Sequence, residues 1–297
     1  MDIVAHNVKF AYNRKTKFAT YALNDVSLSV LEGEFFGIIG HTGSGKSTFI
    51  QHLNALVPVE EGSLTVGDFD LSPVPGKKKK KDKNYKKKLK SLRRSVGMVF
   101  QYPEYQLFAE TVFEDVSFAI KNFLEGVTPE ECEALVKEAI ERVGLDYYAV
   151  KDKSPFELSG GQKRRVAIAG VLAAKPDILI LDEPCAGLDP VGKTELWQLL
   201  HSLHGTVAKT VIIVSHDMND VADNCTKVAV FSQGTVKKVA TPKELFSHPK
   251  VIKESGLEVP VTAFLTQALE DEGFKIDTTY TVSDFCQKFK ALIEDKK

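Results

Sequence analysis

Gly40-His41-Thr42-Gly43-Ser44-Gly45-Lys46-Ser47-Thr48 is the stretch that decides how this chain folds. It fits the pattern GxxxxGK[ST]. The apolar run Phe35-Phe36-Gly37-Ile38-Ile39 enters it as a short buried strand. Thr48 to Val57 leaves it as a helix, which Pro58 ends. A glycine-rich turn between strand and helix is a cradle for phosphate. Small residues let backbone N–H groups converge on oxygens, and the helix adds its positive N-terminal end. In such a cradle Lys46 reaches the β- and γ-phosphates of a nucleotide and the Ser47 hydroxyl ligates Mg²⁺. The alternative, a chance lysine in a glycine turn, leaves the strand before and the helix after without a reason.

Outward from this turn the chain alternates short apolar strands with helical stretches, which predicts an α/β fold with a largely parallel sheet. Ile3 to Phe10 and Val26 to Val30 read as early strands, and Val96 to Phe100 as a buried one. Ile178 to Leu181, Val211 to Val214 and Lys227 to Phe231 complete the set. Glu110 to Leu145 is helical, with Thr128-Pro129-Glu130-Glu131 opening a helix as a capping box and Gly144 closing it. A further helix runs from Gly161 to about Ala174. Residues 246–297 carry amphipathic helices and few strand signals, and read as a small appendage.

Composition is ordinary for a globular protein: 43% apolar, 27% charged, net charge -1. The four cysteines, Cys132, Cys185, Cys225 and Cys286, have no metal-ligand spacing and read as free thiols in a reducing compartment. No signal peptide and no bilayer-length apolar run is legible, so in a membrane process other chains must do the spanning. Lys77 to Lys90 holds ten lysines. A solvated surface loop is the simplest reading; an anionic-lipid contact is the sharper one. Nucleic acid is a third, without an aromatic platform beyond Tyr85.

Two more motifs carry chemistry. Ile178-Leu179-Ile180-Leu181 ends in Asp182-Glu183. A strand end is rigid; it sets Asp182 near the metal, usually through water, and lets Glu183 polarise an attacking water as general base. Leu158-Ser159-Gly160-Gly161-Gln162 opens a second helix on adjacent glycines, again a site where backbone meets an anion closely. Lys46 and Ser159 cannot grip one nucleotide from the same side. A head-to-tail dimer resolves this, with each nucleotide between one chain's phosphate loop and the other's Ser159 segment.

LSGGQ between a phosphate loop and Asp182-Glu183-Pro184 resembles the signature of ATP-binding-cassette ATPases, over roughly residues 2–245. The resemblance implies an α/β phosphate-loop NTPase core of RecA-like type, an antiparallel β subdomain and an inserted α-helical signature subdomain at about residues 102–160. The small C-terminal appendage follows the 1–245 ATPase domain. It implies ATP and Mg²⁺ as cofactors. Tyr12 then matches the aromatic that stacks on adenine, with a core aromatic as the plainer reading. Gln101 matches the glutamine that touches Mg²⁺ and links to the partner. His216 in Val214-Ser215-His216-Asp217-Met218 resembles the switch histidine that senses γ-phosphate, and Asp189 the loop acid that communicates across the dimer. Cys185 stands where Thr or Ser is common.

Tyr102-Pro103-Glu104-Tyr105-Gln106-Leu107-Phe108 looks like the segment by which energy-coupling factor transporter ATPases receive coupling helices of a membrane subunit, with Glu104 at the acid that meets their arginines. The remaining motifs resemble the second of that family's two paralogous ATPases. The implied protein powers uptake of a vitamin or metal ion across the cell membrane, from its cytoplasmic face. Its implied partners are a second ATPase subunit, as a heterodimer rather than a homodimer, an integral scaffold near Glu104 and a substrate-binding membrane protein. Residues 246–297 are the candidate dimerisation element, and no specific nucleic acid is expected. The rivals are an ATPase of another transporter of the superfamily, a soluble cassette protein acting on DNA or the ribosome, and a kinase or GTPase. The last has no use for LSGGQ.

Overall fold

The computed structural model describes residues 1–73, 83–247, 250–274, 276 and 279–294. The chain opens with an antiparallel pair, β1 (Ile3–Tyr12) and β2 (Thr20–Val30). Next, β3 (Phe35–Ile39) runs through the phosphate loop into α1 (Lys46–Leu53). β4 (Glu61–Val66) and β5 (Phe69–Asp70) return to β1 and complete a four-stranded antiparallel sheet in the order β2-β1-β4-β5. After α2 (Lys83–Ser95) and β6 (Val96–Val99) comes a helical run: α3 (Val112–Phe123), α4 (Pro129–Arg142), α5 (Tyr147–Val150) and α6 (Gly160–Leu172). The chain then alternates β7 (Ile178–Asp182), α7 (Pro190–Leu203), β8 (Thr210–Ser215), α8 (Met218–Asn224), β9 (Lys227–Ser232) and β10 (Thr235–Ala240). It ends in α9 (Pro242–Ser247), α10 (Lys250–Glu254), α11 (Val261–Asp271) and α12 (Val282–Glu294).

The second sheet has six strands in the order β10-β9-β3-β8-β7-β6, parallel except for β10. It is covered on both faces, which is why its strands read as unbroken apolar runs. Alternate residues serve two cores. Phe35, Ile39, Leu179, Leu181, Val211 and Ile213 pack on the helices α3, α4, α6, α7 and α8. Phe36, Ile38, Ile178, Ile180, Ile212 and Val214 face α1 and the antiparallel sheet. The C-terminal ends of β3, β7 and β8 therefore converge on one edge, where ligands gather in such sheets.

Three expectations need correction. The helix after the phosphate loop stops at Leu53 rather than Val57, before Pro58 can act. Ala55 takes a left-handed backbone (φ 53°), and the N–H groups of Leu56 and Val57 both turn back to the Gln51 carbonyl. The C-terminal part of the lysine run is helix rather than loop, because Leu89 and Leu92 give it an apolar side and Leu92 is buried. The part of that run before Lys83 lies outside the described residues. The first strands extend further than their apolar cores, to Tyr12 and from Thr20, carried by backbone pairing across polar positions. The capping box at Thr128 is present as expected.

Candidate nucleotide site

Lys46 is buried at the first turn of α1, and its ammonium donates to the carbonyls of Gly40 (2.5 Å) and His41 (3.0 Å). Burial lowers its pKa, opposed by the charges of Glu183 and Asp182. Gly45 holds φ at 103°, and a Cβ there would meet the Ala22 carbonyl at 2.5 Å. Only glycine lets the loop close against β2. The hydroxyl of Ser44 is buried without a hydrogen-bond partner among the described residues. An orphaned hydroxyl inside a loop of amides suits an anionic guest.

At the end of β7, burial raises the Asp182 pKa, opposed by a hydrogen bond from the Ser47 hydroxyl and by Lys46, while Glu183 raises it further. Glu183 sits in a left-handed conformation (φ 49°), its N–H held by the Val214 carbonyl at 3.0 Å. A non-glycine residue in that region costs of order 1 kcal/mol or more and persists where neighbours fix it. Its carboxylate meets His216, whose Nδ1–H donates to Glu183 Oε2 at 2.8 Å. His216 itself is exposed, at 72% of its side-chain surface.

These groups line one cleft of about 450 Å³, together with Tyr12, Thr42, Gly43, Ser47, Thr48 and Gln101. Tyr12 stands at its rim, 41% exposed, with its hydroxyl 3.2 Å from Thr48 Oγ1 and its ring edge-on to Phe10. Gly40 and His41 lie behind, presenting carbonyls to Lys46. Thr20, Tyr21 and Ala22 of β2 also line the cleft. Sequence reading missed them because only strand pairing with β1 brings them to Tyr12.

The cleft has the donor set for a hard divalent cation. Ser47 and Asp182 meet there as oxygen donors, beside Gln101. No cluster of three or more His, Cys, Asp or Glu residues suited to a metal occurs among the described residues. One carboxylate and one hydroxyl together fit Mg²⁺, which takes few protein ligands and leaves the rest to phosphate and water.

Ser159, Gly160, Gly161, Gln162 and Asp189 do not line the cleft. Ser159 instead caps α6 in a capping box with Gln162, which sequence reading did not foresee. Asp189 caps α7, its carboxylate accepting from the Gly192 N–H at 2.7 Å. A Cβ on Gly160 or Gly161 would meet nothing within 4 Å. Among the described residues nothing requires glycine there, in contrast to Gly45.

A phosphate loop, a strand-end acid pair with its histidine and a displaced second glycine motif on this fold define an ATP-binding-cassette ATPase. The ABC transporter family model matches residues 23–186. Two curated relatives are energy-coupling factor transporter ATP-binding proteins EcfA2. That of Clostridioides difficile is 46% identical, aligning over 93% of this chain and 92% of its own. That of Clostridium tetani is 42% identical over 100% and 99%. Among solved structures, cbiO1 from Clostridium perfringens, part of the ABC transporter complex cbiONQ, superposes with a TM-score of 0.70 at 35% identity, over 89% of this chain and 98% of that one. The ATP-binding cassette MJ0796, a dimer in a post-hydrolysis state bound to ADP and Pi, gives 0.68 at 30%, over 81% and 98%. The chain belongs to the ATP-binding proteins of energy-coupling factor transporters, of the EcfA2 type. It is thus an ATP-hydrolysing subunit coupled to transport. Among the described residues no helix is long and apolar enough to cross a membrane.

Proposed function

We propose that two such ATPase subunits close head to tail around two ATP molecules and that closure drives an importer of a vitamin or metal ion. The observation that carries this is the separation, within one chain, of the cleft from the Ser159 motif, whose glycines no neighbour among the described residues requires. A partner's motif completes each cleft. Lys46 and the loop amides hold the phosphates, and Tyr12 offers its ring to adenine. Ser47, Asp182 and Gln101 would hold Mg²⁺, which when bound neutralises phosphate charge. Glu183 takes the proton of the attacking water, His216 orients that carboxylate and reads the γ-phosphate, and Asp189 reports to the partner across the interface. Closure does work because ATP bridges only the closed pair, a differential affinity between two states.

A groove of about 440 Å³ between α3, α6 and the start of β6 supports docking of an integral scaffold. Phe108 (61% exposed) and Phe118 (50%) leave it an apolar mouth, and Gln106, on the same turn as Glu104, lines it. On the C-terminal helices Val261, Phe264 and Val282 are more than half exposed, which supports a dimerisation role for residues 246–297. Resemblance to one of two paralogues favours a heterodimer at the cytoplasmic face, served by a substrate-binding membrane protein. Detergent pull-down of the tagged chain from native membranes, read by mass spectrometry, is the test. A second ATPase, one integral scaffold and small substrate-binding membrane proteins are expected; a dedicated permease pair, or ribosomes without membrane protein, would overturn the partner assignment.

A further inference from the structure

Arg164 lies on the second turn of α6, just after the Ser159 motif, and is only 7% exposed. Its guanidinium reaches two other parts of the chain, through three residues. Nη1 donates to the Pro184 carbonyl at 3.0 Å, and Nη2 to the Ala186 carbonyl at 3.0 Å. Nε and Nη2 each stand 3.4 Å from an oxygen of Glu104, a side-on ion pair at the long end of hydrogen bonding. Glu104 belongs to the single 3-10 turn Pro103–Gln106, which follows Gln101 through a left-handed Tyr102 (φ 56°). Pro184 follows Glu183 directly, Ala186 lies three residues after it, and the Ala186 N–H closes a turn on the Glu183 carbonyl at 3.1 Å. One rigid five-donor fork thus joins the segment carrying Glu104, the helix begun by Ser159 and the loop that leaves Glu183 for Asp189.

We infer that Arg164 is a positioning residue that ties the turn bearing Glu104 to the backbone that sets Glu183. This rests on the reading of the Glu104 turn as the docking point of a membrane scaffold. A cationic group arriving at Glu104 draws on the same carboxylate that Arg164 uses. The fork then rebalances toward the Pro184 and Ala186 carbonyls, and the loop between Glu183 and Asp189 shifts with it. The coupling is physical contact at every step, with no intervening side chain. It also gives the Ser159 helix a direct hold on the chain's own hydrolytic loop, so the motif that meets the partner's nucleotide moves with the base serving its own.

The test is a double-mutant cycle on the purified ATPase pair, using Arg164→Lys and Glu104→Gln, with turnover and the KM for ATP measured separately. Lysine keeps charge but cannot serve three acceptors in one plane. Each single variant is expected to lower kcat about tenfold with KM for ATP within about twofold of wild type, and the double variant to be no slower than the worse single. Thermal melts of the same variants separate misfolding from mispositioning. Wild-type kcat in Arg164→Lys, or losses that multiply to about a hundredfold in the double variant, would overturn the inference. The cycle needs no scaffold. Were the pull-down to return no scaffold, the docking reading would fall while the link between Glu104 and the base loop would still be read here.

Discussion

Replacing Glu183 with Gln isolates the chemistry of the cleft from its binding. The change keeps side-chain length and leaves the left-handed backbone at φ 49° with a residue of the same steric cost. The glutamine carbonyl can still accept from His216 where the carboxylate did at 2.8 Å. Lys46, Ser47 and the loop amides are untouched, so nucleotide affinity is retained. Removing the negative charge also removes one of the influences that hold the Asp182 carboxyl above its ordinary range, so Asp182 ionises more readily. What disappears is the proton acceptor. A positioned general base contributes about 10²–10⁴ in rate, or about 3–5 kcal/mol of barrier. Phosphate release under single-turnover conditions, beside retention of labelled ATP on the purified pair, reads both quantities. Turnover down by that factor with ATP held in a closed dimer is the expected result. Turnover within about threefold of wild type would refute the assignment of Glu183 as base.

Lys46→Ala should weaken ATP binding by on the order of a hundredfold, since it deletes a charge-assisted contact to phosphate; equilibrium titration checks it, and unchanged affinity would remove Lys46 from the site. Gly160→Ala and Gly161→Ala meet no atom within 4 Å inside the chain and add helix propensity of up to about 1 kcal/mol each. Thermal stability should hold or rise while ATPase activity falls about tenfold, because in the proposed dimer the methyl group would stand where the partner's nucleotide phosphate approaches; full activity would argue against that meeting. Burial pushes the Cys225 thiol up to about 12, with Asp220 adding to the shift. The folded state therefore holds that proton more tightly than the unfolded chain, and its contribution to stability is present below about pH 8.5 and lost as pH rises toward 12. Iodoacetamide at pH 8 should accordingly label the exposed Cys286 and spare Cys225 until the protein unfolds, as peptide mapping would report.

The α/β class, the phosphate loop between β3 and α1 and the acid pair closing β7 were legible in the sequence, because each depends on neighbours within a few positions. Apolar runs of five residues, glycines at fixed spacing and a capping box at Thr128 are local facts, and local energetics fulfil them. Long-range contact decided the rest. The end of α1 depended on Ala55 turning left-handed against Gln51, which no composition signals. The helix in the lysine run depended on Leu92 finding a core. Thr20, Tyr21 and Ala22 reached the cleft through pairing with β1. The glycines at 160 and 161 looked like the one at 45 until its close approach to the Ala22 carbonyl set it apart. Arg164 read as one charge among three in Lys163-Arg164-Arg165, and only the folded chain puts its guanidinium against residues 60, 20 and 22 positions away. Periodicity fixes which face of an element is buried; which distant group that face meets is set by packing, where the free energy belongs to pairs the sequence keeps apart.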